Sequence, residues 1–121
     1  MLREELFDGL WLCCDVIPMG QDYTLAVYGG ERPHVGSVVM SFARPSLTGD
    51  GISATSSVLN GIGHKDEAVA RLFAEAVAKA KNCTTVCACG IHMDAISALQ
   101  LRQVQEAGAR LLERVLAEIC R

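Results

Sequence analysis

The chain has 121 residues, half of them apolar, and a formal net charge of −3, the size at which one domain folds around a single core. No block of Lys and Arg offers a footprint for a phosphate backbone, so nucleic acid is not an expected partner. No apolar run approaches the ~18 residues of a membrane span, and the start carries Glu4, Glu5 and Asp8 rather than a signal peptide's basic and apolar regions, so a cytoplasmic protein with no membrane association is expected.

One domain over residues 1–121 is expected, because no repeat or charged linker divides it. Composition shifts once, near residue 65, from a Gly, Ser and Thr-rich half to an Ala-rich half. The first half predicts strands at about Leu10 to Ile17, Asp22 to Tyr28, Val35 to Ala43 and Ile52 to Leu59. The turn segments Pro18-Met19-Gly20, Gly29 to Pro33 and Gly49 to Gly51 separate them. Short connections make these neighbours antiparallel.

The spacing of Val69, Leu72, Phe73, Ala76, Val77 and Ala80 predicts a helix over Asp66 to Lys81. Its outer face carries Glu67, Arg71, Glu75 and Lys79. The β-rich segment Thr84 to Ile91 follows, then a long helix with Ile96, Leu99, Val104, Leu111, Val115 and Ile119 as its stripe. Gly108 inside that helix costs about 1 kcal/mol relative to alanine, and close packing on a neighbouring backbone is one physical reason to keep it. The order ββββαβα implies an α+β domain with an antiparallel sheet and both helices packed on one face. Small strand residues (Ala26, Ser37, Ser41, Ala43, Ser53, Ala54, Ser56) suggest that the other face is solvated, holds a ligand or pairs with a second copy.

The segment Ala43 to Ser57 concentrates hydroxyls, Arg44 and two flexible glycines. An arginine fork, neutral hydroxyl donors and exposed amides suit phosphate oxygens. Asn60 to Asp66 then runs into a helix start, where amides and the positive dipole end favour an anion. Arg44, Ser46, Thr48, Ser53, Thr55, His64 and Lys65 are therefore the candidate ligand residues. Ordinary turn chemistry explains the same composition, with Asp66 capping its helix. The loop Gly29 to Gly36 reads as a hairpin turn, or as a functional loop in which Glu31, Arg32 and His34 close over a ligand or meet a partner.

The six cysteines (Cys13, Cys14, Cys83, Cys87, Cys89, Cys120) read as free thiols buried as small hydrophobes, with Cys13 and Cys14 on opposite faces of a strand. Strand alternation puts Cys83, Cys87 and Cys89 on one face and His92 on the other, which excludes one closed zinc site using all four. His64, His92 and Asp94 sit near element ends and leave an open metal site as an alternative. No nucleotide fingerprint, nucleophile elbow or paired carboxylates emerge, so an enzyme is not expected.

Three blocks, in order, carry a family resemblance: Pro18 to Gly36 with Gly29-Gly30-Glu31-Arg32-Pro33-His34-Val35-Gly36, then Ala43-Arg44-Pro45-Ser46-Leu47-Thr48-Gly49-Asp50-Gly51 to Thr55, then Gly63-His64-Lys65-Asp66-Glu67. Across nearly its whole length the chain resembles the small prenylated-flavin chaperones encoded beside UbiD-type decarboxylases such as gallate decarboxylase. The resemblance implies a fold similar to proteasome assembly chaperones, a homodimer, and a non-catalytic carrier that passes prenylated flavin mononucleotide to the apo-decarboxylase. Placed on that role, Arg44, Ser46, Thr48, Ser53, Thr55 and the helix entrance with His64 and Lys65 would hold the phosphate and ribityl chain. Tyr28, Met40 or Phe42 would support the rings. Two rivals stand beside it: a protein-interaction module of a decarboxylase system without its own ligand, and a small metal-dependent enzyme.

Overall fold

The computed structural model describes residues 1–61 and 66–121. Eight elements follow in chain order: β1 (Leu2–Glu5), β2 (Trp11–Met19), β3 (Asp22–Gly30), β4 (Ser37–Pro45), β5 (Ile52–Asn60), α1 (Glu67–Lys81), β6 (Thr84–His92) and α2 (Ala98–Ile119). The α+β class holds, but the order is βββββαβα rather than ββββαβα.

The additional strand, β1, pairs antiparallel with β2 from Leu2 opposite Cys14 to Glu5 opposite Trp11. Leu, Arg and Glu favour helix intrinsically, and pairing overrides that preference. The turn between the two strands places Asp8 and Gly9 at φ 50° and 74°, and the Leu10 amide bonds the Phe7 carbonyl at 2.9 Å. Positive φ at both central residues is the twist-matched hairpin turn that Asp-Gly favours.

The six strands run β1-β2-β3-β6-β4-β5 across one sheet. It is mixed rather than purely antiparallel, because β6 inserts between β3 and β4 and runs parallel to β3. The segment joining β3 to β4 is therefore no hairpin. It crosses the end of β6, with the Glu31 amide on the His92 carbonyl at 2.8 Å and the Gly36 amide on the Cys89 carbonyl at 2.8 Å. A side chain on Gly90 would collide with the His34 carbonyl, so this crossing needs a glycine beneath it.

Strand alternation assigns the two faces. Leu12, Cys14, Leu25, Val27, Val39, Cys87 and Cys89 point into one core with Ala70, Phe73, Ala74 and Val77 of α1 and Leu111 and Val115 of α2. Both helices thus cover one face, α1 over β4, β5 and β6, and α2 over β1 and β2.

Several sequence expectations shift here. Ser37 and Ser41 are buried on the helix side, and register puts Ala43, Ala54 and Ser56 there too. Small residues therefore sit beneath α1, whose own buried face is mostly alanine. A hydroxyl chain ties this layer, Ser41 to Ser56 at 2.8 Å and Ser56 to Glu75 at 2.6 Å. Leu72 and Leu99 stay largely exposed rather than completing the predicted stripes. Gly108 meets no close backbone, since a Cβ there would find only Leu12 Cδ2 at 3.9 Å.

Candidate functional site

The sheet's open face is where most of the sequence-selected residues gather. On β4, Val38, Met40, Phe42 and Arg44 alternate onto it, opposite Leu59, Ser57, Thr55 and Ser53 of β5. It is apolar at its centre, with Phe42, Met40 and Leu59 exposed by 42%, 39% and 74%.

Arg44 ends the row. Its Nε donates to Thr55 Oγ1 at 2.7 Å and its Nη1 to the Pro45 carbonyl at 3.2 Å. Among the described residues no carboxylate forms an ion pair with it. The connection to β5 keeps its hydroxyls nearby: Ser46 Oγ and Thr48 Oγ1 lie 2.9 Å apart, and Gly49 and Gly51 take φ 84° and 76° to close the turn. Arg44, Ser46, Thr48, Ser53 and Thr55 thus share one end of the β4–β5 ribbon, a cation with a cluster of neutral donors.

The helix-entrance half of the candidate set is placed differently. His64 and Lys65 lie outside the described residues. Asn60 before them pairs with Ser37 at the far end of the ribbon, seven residues or roughly 23 Å along the strands from Arg44. Tyr28 does share the open face, but its hydroxyl is bound to Asp15 Oδ2 at 2.8 Å, a bond that pushes its pKa up to about 12. It sits two strands over from β4 and toward the opposite end, so Phe42 and Met40 are the large side chains near Arg44.

A second polar cluster, which the sequence reading left undecided, forms at the C-terminal ends of the parallel pair β3 and β6. Arg32 Nη2 reaches His92 Nε2 at 2.6 Å and Asp94 Oδ1 at 3.1 Å, and His92 Nε2 lies 2.8 Å from Asp94 Oδ1. The His92 contact and then the Arg32 charge hold the Asp94 carboxyl below the usual carboxylate range. Asp66, only 7% exposed, makes no side-chain cap for α1. Instead it accepts the Ile91 amide at 3.0 Å and faces His34 Nε2 at 3.3 Å. No sequence signal marks this role, because a residue in capping position is read locally while its partners lie on β6 and the crossing loop.

His92 and Asp94 of the suggested metal site do come together, but Arg32 brings a guanidinium cation into the same cluster. Among the described residues no group of three His, Cys, Asp or Glu side chains could hold a metal ion. All six cysteines are free thiols. Cys83, Cys87 and Cys89 are buried, as alternation implied, and burial raises the Cys87 and Cys89 thiols far above their ordinary range. Such thiols are poor nucleophiles. Among the described residues no helix is long and apolar enough to cross a membrane.

Fold and face together define a small α+β domain with one side of its sheet packed by helices and the other open, carrying donors suited to an anion beside an apolar strip. Residues 7–120 match the family model described as prenylated flavin chaperone LpdD-like domain. The chain belongs to that family. Comparison with curated proteins gives no match.

Proposed function

We propose that the chain is a non-catalytic carrier that binds prenylated flavin mononucleotide and delivers it, as a homodimer, to an apo UbiD-type decarboxylase. The observation that carries this reading is the family match over residues 7–120. The open face supports it: Arg44, with no carboxylate partner among the described residues, and the hydroxyls of Ser46, Thr48, Ser53 and Thr55 suit a phosphate and ribityl chain, with Phe42 and Met40 beside them for the rings. His64 and Lys65 stay in the proposed set as a separate contact, in the segment between Asn60 and Asp66, both of which lie at the other end of the sheet from Arg44. Neutral donors and one arginine give moderate affinity, which a carrier needs in order to release its cargo. The exposed Ile17, Met40, Phe42 and Leu59 give a second copy an apolar surface to cover.

The test is anaerobic titration with reduced prenylated flavin mononucleotide followed by size exclusion, with Arg44→Ala and Lys65→Ala variants alongside. Near-stoichiometric retention by the wild type, reduced about tenfold or more in Arg44→Ala, is the expected result for loss of a charged hydrogen bond to phosphate. No retention by the wild type would leave a protein-docking module instead.

A further inference from the structure

β5 is the outer strand beside β4, and among the described residues no strand pairs with its far edge. The opposite edge, β1, is four residues long and carries Arg3, Glu4 and Glu5, which is how proteins blunt an exposed edge. β5 has neither protection: its nine residues, Ile52–Asn60, include no charge and no proline. The Ala43 amide bonds the Cys83 carbonyl on the β6 side of β4, and the Gly61 amide bonds the Gly36 carbonyl on the other. Odd-numbered residues of β5 are therefore tied to β4, and Ala54, Ser56, Val58 and Asn60 aim their amides and carbonyls at the open edge. A charged row lies above that edge. Asn60 Nδ2 donates to Glu67 Oε1 at 2.8 Å and Ser56 Oγ to Glu75 Oε2 at 2.6 Å, so α1 runs back along β5 with Glu67, Arg71, Glu75 and Lys79, each four residues from the next, on that side. Set against itself in the opposite direction, the row matches at every position: Glu67 meets Lys79 and Arg71 meets Glu75.

We propose that two copies of this chain join edge to edge through β5, antiparallel about a two-fold axis at Ser57, into one continuous sheet. The charged row places the axis: its centre lies between Arg71 and Glu75, and the ties to Asn60 and Ser56 put that level beside Ser57. Ser56 then exchanges backbone bonds with Val58 of the second copy, and Ala54 with Asn60. On the open face Ser57 meets Ser57 of the second copy, and Leu59, exposed by 74% in one chain, lies against Thr55. A second copy is the occupant because a two-fold axis sets the row against its own reverse, so each charge faces its opposite. The proposal rests on the carrier reading only for there being two copies; it names the joining edge and leaves both Arg44 ends on one side of the sheet.

Cross-linking tests the geometry. In a Cys13→Ser/Cys120→Ser background, Ser57→Cys sets two thiols across the axis at the short separation of a non-hydrogen-bonded antiparallel pair, within disulfide reach. Mild oxidation should convert most of that protein to a covalent dimer. Met40→Cys, one strand inward on the same face, should not cross-link, since three strand spacings, roughly 14 Å, separate the two copies of that residue. Light scattering on uncross-linked protein reads the charges. Lys79→Glu should weaken the dimer about tenfold, because each change acts twice across the axis, and Glu67→Lys/Lys79→Glu should restore it. A Met40 cross-link without a Ser57 cross-link would mean that the copies join through their open faces, which overturns this proposal and keeps the homodimer. A monomeric wild type would overturn both, and a dimer indifferent to Lys79→Glu would overturn the edge pairing alone.

Discussion

Cys87 and Cys89 have no more than 1% of their surface exposed and lie on the helix side of the sheet, with the sheet itself between them and Arg44. Burial raises both thiols, and it pushes Cys14 up to about 12. Thiolate supply at neutral pH is therefore negligible, and these residues cannot guard a flavin on the open face by direct contact. In native protein treated with iodoacetamide, Cys120 should be modified first, being exposed, and Cys13 next. Cys14, Cys87 and Cys89 should react only when the chain unfolds. Peptide mass spectrometry over time checks this, and early labelling of Cys87 would contradict the burial. Burial of Cys14, Cys87 and Cys89 was legible in the sequence because alternation needs only a strand, whereas Cys120, also expected to be buried, is exposed at the C-cap of α2 and Cys13 is half-buried. Asp66 was not, because its partners, Ile91 and His34, are brought to it by tertiary packing.

At the scale of the element, α2 is well defined by local signals. Ser97 and Gln100 form a reciprocal capping box, with the Gln100 amide on Ser97 Oγ and the Ser97 amide on Gln100 Oε1, both at 3.0 Å. Gly108 is the exception within it. Its backbone is not among those with positive φ, and a Cβ meets only Leu12 Cδ2 at ordinary contact distance. Gly108→Ala should therefore stabilise the protein by up to about 1 kcal/mol, the helix-propensity difference, raising Tm by roughly 4 °C. Gly90→Ala should do the opposite, because its methyl would run into the His34 carbonyl, at a cost of about 1–3 kcal/mol. Thermal melts of the two variants separate a glycine kept for no steric reason in the fold from one the crossing loop requires. The five strands β2 to β6 and both helices could be placed from alternation and helical spacing within a few residues. The position of β6 between β3 and β4 could not, since a short connection ordinarily implies a hairpin and only long-range pairing reveals the inserted strand.

For the whole molecule, the first strand is fastened to the last helix. Glu4 is directed to the helix side of β1, where Oε1 accepts from Arg110 Nε at 2.9 Å and Oε2 from Arg114 Nη1 at 2.6 Å. Arg114 also donates to the Arg3 carbonyl at 2.6 Å. The Arg110 and Arg114 hydrogen bonds hold the Glu4 carboxyl below its ordinary value of 4.5. A depressed folded-state pKa means the stabilisation is complete above the unfolded value and is lost as pH falls through the folded one. Glu4→Gln keeps the shape and removes the charge. At about pH 7 the variant should be less stable by roughly 1 kcal/mol or less, since the arginines are half-exposed and solvent screens the pair. As pH drops below 4.5 the unfolded wild type takes up its proton first and the difference should shrink toward zero. Urea unfolding of both proteins at a series of pH values measures this directly. A difference that persists undiminished in acid would mean that Glu4 acts through packing alone, and the fastening of the N-terminal strand to α2 would then owe nothing to charge.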